Sequence, residues 1–192
     1  ALAQLVEPYT STRANPITDA LCLEGIRRVA RSLAGAFDHG VDTAARGDMA
    51  LASLFGGLAL ANAGLGIVHG IAGPIGGKLT APHGAICARI LPYAMEVNIA
   101  ALQKRLPKSE ALRRYDDVAR HLTGSKTAEA SDGVEWVKRL CGHLPIPSLA
   151  SYGMSPEDFP EVIESADRAS STKANPVQLK KDEMLQILAR AL

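Results

Sequence analysis

From Met49 to Gly77 the sequence runs for 29 positions without one charged residue, and few folds accommodate such a stretch. By length alone it is able to cross a membrane. Its interior argues against that use. Asn62 and His69 interrupt it, eight glycines (Gly56, Gly57, Gly64, Gly66, Gly70, Gly73, Gly76 and Gly77) thin it, and neither an aromatic belt nor a cationic flank marks its ends. It reads as a helix apolar on all sides, enclosed by other helices in a bundle. Its small residues let neighbouring helices, or a ligand, approach the backbone closely.

The rest of the chain supports a helical bundle. Apolar residues make up 47% of the sequence but aromatics only 4%, so the core is built from Ala, Leu, Ile and Val. Asn15-Pro16 reads as an N-cap followed by proline at the first helical position, opening an amphipathic run to about Phe37. Asp38, Gly40 and Asp42 form a break. The central run begins near Asp48 and continues past Gly70. Another helix runs from Pro82 to about Lys104, with Pro92 expected to kink or reset it. Shorter helices follow near 109–122, 131–144, 155–170 and 180–191, the third opening on Ser155-Pro156-Glu157-Asp158. No alternating strand pattern occurs. The expected fold is all-α, one domain over residues 1–192 with about seven to eight helices.

Charge and cysteine usage exclude several functions. Lys and Arg total 21 against 20 Asp and Glu, a net charge of +1, so neither nucleic acid nor an acidic membrane is an expected partner. Cys22, Cys87 and Cys141 lie without motif spacing, which fits buried thiols in a reducing, cytoplasmic setting rather than a disulfide framework. The opening Ala1-Leu2-Ala3-Gln4-Leu5-Val6-Glu7 already reads as the middle of a helix, so the chain is expected to be a domain of a longer polypeptide. No signal-peptide pattern is present.

Two histidines carry the chemistry. His69 lies near the end of the apolar run, and His83 follows Pro82 at the start of the next helix, 14 positions on. The Gly/Pro-rich turn between them folds the second helix start toward the first helix end, so both imidazoles are able to face one point. Imidazole suits Fe, Zn, Cu and Ni. A histidine on an apolar helix is also commonly a packed core residue, and a spacing of 14 is no general metal signature, so spacing alone leaves both readings open. His39, His121 and His143 stand among charged residues and read as solvated. Gly64-Leu-Gly66-Ile-Val-His69 lacks the third glycine and the preceding strand of a dinucleotide fingerprint. Gly77-Lys78-Leu79-Thr80 lacks Ser or Thr directly after the lysine of a phosphate loop.

The block from Asn62 to Asn98, with N-A-G-L-G-I-V-H-G-I-A, P-I-G-G, P-H-G and L-P-Y-A-M-E-V-N, resembles the signature region of iron-containing (group III) alcohol dehydrogenases. The opening A-L-A-Q-L-V-E-P-Y is similar to that family's D-A-x-x-H-x-x-E segment, and T-D-A-L follows in register; the match is collinear over about the first hundred residues. Lys173-Ala-Asn-Pro176 is compatible with it. The resemblance implies the helical, dehydroquinate synthase-like C-terminal half of a two-part enzyme, whose N-terminal α/β half binds NAD(P). It implies a divalent metal (Fe2+ or Zn2+) held by an Asp, a His one turn later and two further His. His69 and His83 match the last two. The Asp position falls immediately before Ala1, outside this sequence, and the next ligand position falls on Gln4, where the family usually has His. Gln offers a neutral amide oxygen, a weaker ligand than imidazole. Gly73 stands where many members carry a His one turn beyond His69.

The implied activity is NAD(P)-linked interconversion of an alcohol and an aldehyde or ketone, with no activity expected of these 192 residues alone. Glu7 is expected to orient the first helix or a ligand, or to form a surface ion pair. The partners implied are a small alcohol or carbonyl substrate, the nucleotide-binding domain of the same polypeptide, and a second copy in a homodimer. Two alternatives remain. One is a maleylacetate-reductase-like enzyme, for which Lys78 and Arg89 are the candidate dicarboxylate-binding cations. The other is a metal-free helical domain of the same family.

Overall fold

The computed structural model describes residues 1–192 and contains helices but no strand. Nine α-helices follow one another: α1 (Leu2–Thr10), α2 (Pro16–Asp38), α3 (Thr43–Ala63), α4 (Ile67–Lys78), α5 (His83–Arg105), α6 (Glu110–Thr123), α7 (Ala130–His143), α8 (Phe159–Arg168) and α9 (Lys181–Ala191). Single 3-10 turns occupy Leu149–Tyr152, Pro156–Asp158 and Thr172–Ala174.

The helix starts follow from the capping chemistry. Thr18 N donates to Asn15 Oδ1 at 3.2 Å and Asn15 N donates to Thr18 Oγ1 at 3.1 Å, a reciprocal box with Pro16 at the first helical position. Asp42 caps α3 by accepting from Ala44 N and Ala45 N at 2.9 and 3.0 Å. Helix α3 therefore begins at Thr43, earlier than the expected Asp48. Asp48 instead faces α2, where its carboxylate accepts from Arg28 (2.7 Å), Arg31 (2.6 and 2.7 Å) and Ser32 (2.6 Å).

The largest departure from expectation lies in the charge-free run. It is two helices rather than one, bent by 103° at Gly64-Leu65-Gly66. Gly64 has φ 70°, in the left-handed region that side chains with a Cβ rarely enter. This break is the reason for nine helices instead of seven or eight. The bent pair is no straight span. Helix α5 alone is long and apolar enough to cross a membrane, and 67% of its apolar window is buried inside the bundle. It runs through Pro92 as a single helix.

Helices α2 and α3 pack closely on one another, as do α6 and α7. Short α1 wedges between α2, α3 and α6, while α5 packs on α4, α7 and α9. The wedge depends on small residues. A Cβ at Gly25 would stand 2.5 Å from Leu5 Cδ2, and one at Gly56 would stand 3.2 Å from Gln4 Cβ. Tyr9 adds polar anchors: its hydroxyl donates to Asp117 at 3.1 Å and its ring lies under Arg114, which grips Asp19 at 2.6 Å. Gln4 and Glu7 are thus held on a short helix clamped from three sides, facing the α4–α5 junction.

Candidate metal centre

Helix α4 starts without a capping side chain, because its N-cap is Gly66. Its first amides are buried donors without partners inside the helix. Two remote side chains supply them. Ile67 N donates to Asn175 Oδ1 at 3.1 Å, and Val68 N donates to Glu7 Oε1 at 2.7 Å. A carboxylate at a helix N-terminus is also favoured by the helix dipole. Glu7 is 6% exposed, so its charge is buried against these donors rather than spent in a surface pair. Gly66 is required by this arrangement: a Cβ there would stand 2.8 Å from Asn175 Oδ1 and 2.9 Å from Glu7 Oε1.

The second oxygen of Glu7 pairs with His69 Nδ1. An ionised carboxylate only accepts, so Nδ1 holds the proton and Nε2 is left for another partner. This carboxylate–imidazole pairing is the arrangement that fixes ring orientation in metal sites. Across the turn, His83 opens α5. The His69 and His83 ring centroids are 5.5 Å apart, inclined at 51°. Gln4 lines the same cavity of about 360 Å³, whose other walls are mainly apolar, from Leu2, Leu33, Leu91, Val137, Leu140 and Ile146. The structure therefore brings the three residues expected from sequence, Gln4, His69 and His83, to one pocket.

Cys87 joins them. It sits one turn beyond His83 on α5, with Sγ 3.4 Å from His83 Nε2, and the donor atoms of His69, His83 and Cys87 lie within 4.8 Å of one another. Cys87 is a buried thiol, as expected, and it also lies beside the two rings. The only sequence signal was the His–Cys spacing of four, which places two side chains on one helix face. Cys22 is buried and Cys141 half-buried; burial pushes their thiols up to about 12 and about 11, respectively.

The electrostatics of the two rings diverge. Burial disfavours a charge on His69, but its hydrogen bonds to Cys87 and Glu7 outweigh that and push it up to about 10. Partial burial, with the neighbouring His69 charge, lowers His83. Gly73 is exposed with open space around it.

A buried amide network supports the centre from behind. Asn175 Nδ2 donates to Asn98 Oδ1 at 2.8 Å and to Val177 O at 2.7 Å, while Asn98 Nδ2 donates to Tyr115 Oη at 3.1 Å. The other sequence candidates fall elsewhere. Lys78 pairs with Asp158 (2.7 Å) and Glu161 (2.8 Å), and Arg89 donates to Ala191 O at 2.9 Å; neither lines the histidine cavity. His143 pairs with Asp38 at the surface, His121 accepts from Arg27 at 3.3 Å, and His39 is exposed.

The sequence profile described as "Fe-containing alcohol dehydrogenase family, C-terminal" matches residues 1–192. Alcohol dehydrogenase 4 of Saccharomyces cerevisiae is 35% identical over 192 residues, covering 100% of this chain and 48% of the yeast protein. The 1,3-propanediol dehydrogenase of Klebsiella pneumoniae is 34% identical over 193 residues, covering 100% and 49%. The crystal structure of a 1,3-propanediol oxidoreductase superposes with a TM-score of 0.90 at 33% identity, covering 100% of this chain and 49% of that one. The chain spans about half the length of the relatives it matches.

Proposed function

This chain belongs to the Fe-containing alcohol dehydrogenase family, and from that premise we propose that it is the metal-site half of a NAD(P)-linked enzyme interconverting an alcohol and an aldehyde or ketone. The observation that carries this reading is the pairing of His69 and His83 at 5.5 Å beside Gln4, with Glu7 fixing the Nδ1 side of His69.

The donor chemistry fits a divalent cation: two imidazoles bring donor atoms within 4.8 Å of each other, one of them is oriented by a buried carboxylate, and Gln4 lines the same cavity. We assign His69, His83 and Gln4 as ligands. When bound, such a cation supplies Lewis acidity toward an alcohol or carbonyl oxygen. The chain's own residues do the rest. Glu7 orders the His69 tautomer, the apolar walls exclude water and admit a small apolar substrate, and Gly66 lets Glu7 and Asn175 reach the α4 amides.

No residue set in this chain fits a dinucleotide. It has no strand, and so no strand–turn–helix phosphate loop. We therefore assign NAD(P) to a nucleotide-binding domain elsewhere in the same polypeptide, and the hydride chemistry to the cofactor. A dicarboxylate substrate is disfavoured, because Lys78 and Arg89 are committed outside the cavity.

Metal content and alcohol turnover of the full-length protein test the proposal. His69→Ala and His83→Ala are each expected to abolish both. If both quantities survive in both variants, the site assignment is wrong and the metal-free alternative takes its place.

A further inference from the structure

We infer that Cys87 is a thiolate ligand in this metal centre, giving a His69–His83–Cys87 donor set that favours zinc over iron. The inference rests on the metal reading above and adds a donor that the family pattern of Asp and three His does not contain.

Geometry comes first. In a tetrahedral site with an imidazole bond of about 2.0 Å and a thiolate bond of about 2.3 Å, the nitrogen and sulfur lie about 3.5 Å apart. His83 Nε2 and Cys87 Sγ are separated by 3.4 Å without any ion between them. Their spacing of four on α5 puts both on one face, and His69 meets them across the turn, all three donors within 4.8 Å. The Glu7 pairing holds Nδ1 of His69 and leaves its Nε2 available.

Charge is the second argument. Two imidazoles and the Gln4 amide bring no negative charge of their own to a divalent cation in a largely apolar pocket. Cys87 is buried, at 6% exposure, and supplies one negative charge once its proton is released to solvent on metal binding. Softness is the third. Thiolate donors select zinc, whereas the amide oxygen in place of an imidazole weakens the site for either metal. A thiolate offsets that weakening.

Cobalt(II) substitution in the intact protein tests this without recourse to activity. Bound Co(II) is expected to show a near-ultraviolet thiolate-to-metal charge-transfer band, absent in Cys87→Ser and retained in Cys141→Ser. Zinc affinity is expected to fall at least tenfold in Cys87→Ser. In the unmutated protein, Cys87 is expected to resist a chromogenic thiol reagent until a chelator removes the metal, a readout independent of how the variant folds. Metal binding that needs His69 and His83 but shows no charge-transfer band, or a Cys87 thiol that reacts equally with metal bound, overturns the inference and leaves the metal site standing. Failure of the intact protein to bind either Co(II) or Zn(II) overturns both.

Discussion

Replacing Glu7 by Gln should convert a metal-binding imidazole into one protonated at the wrong nitrogen. The carboxylate has two jobs: it accepts from Val68 N at 2.7 Å and pairs with His69 Nδ1. Glutamine offers one acceptor and one donor group for two neighbours that both require acceptors. If its oxygen faces His69, its amino group meets the Val68 N–H, leaving buried donors unsatisfied at about 1–3 kcal/mol. If its oxygen faces Val68, its amino group meets Nδ1. The ring then loses its anionic partner and keeps its proton on Nε2, the nitrogen a metal needs. The second arrangement wins, so metal binding is weakened. Outer partners of this kind are worth about 10- to 100-fold in affinity, or about 1.4–2.8 kcal/mol at 1.4 kcal/mol per tenfold. Zinc affinity measured against a competing chelator should drop by that factor in Glu7→Gln. The Tm of the metal-free protein should fall as well, because the buried Glu7–His69 pair is lost. Wild-type zinc affinity in Glu7→Gln would refute the claim that this carboxylate sets the tautomer.

Two further outcomes follow from the same contacts. Asn175→Ala removes the acceptor for Ile67 N and the donor to Asn98 Oδ1, orphaning at least two buried polar groups; urea denaturation should show a loss of about 2–6 kcal/mol at about 1–3 kcal/mol per group. Asp48 is held well below the usual carboxylate range by hydrogen bonds from Arg31 and Ser32. Because its folded pKa is depressed, its contribution is fully present above the unfolded value of about 3.9 and is lost as pH falls below it. Tm measured between about pH 5 and pH 2 should fall less steeply in Asp48→Asn than in the unmutated chain.

What is legible in the sequence is local. Asn15-Pro16 and Ser155-Pro156 announce helix starts because a cap and its third residue are neighbours in the chain, and both boxes form. The bend at Gly64–Gly66 is illegible for a physical reason: a run apolar on every side has no preferred face, so periodicity carries no mark of where its direction changes. Asp48 misleads because an acidic residue after a break resembles a cap, whereas three partners on α2 claim it. At the centre, His69, His83 and Gln4 are traceable through family likeness. Cys87 is not, since a His and a Cys four apart form no motif until a second helix brings His69 to them. Asn98 and Asn175 acquire meaning only once Ile67 lies beside them.

The order in which these groups meet during folding is written in their separations along the chain. His83 and Cys87 are four residues apart and come together as soon as one turn of α5 forms. The amides that start α4 wait for acceptors 61 and 108 residues distant. Closing loops of that size carries an entropic cost that local turns escape, and contacts so remote form slowly. A nascent chain therefore offers a cation its α5 pair first, and the His69 arm swings in only when α1 and the Asn175 segment have docked.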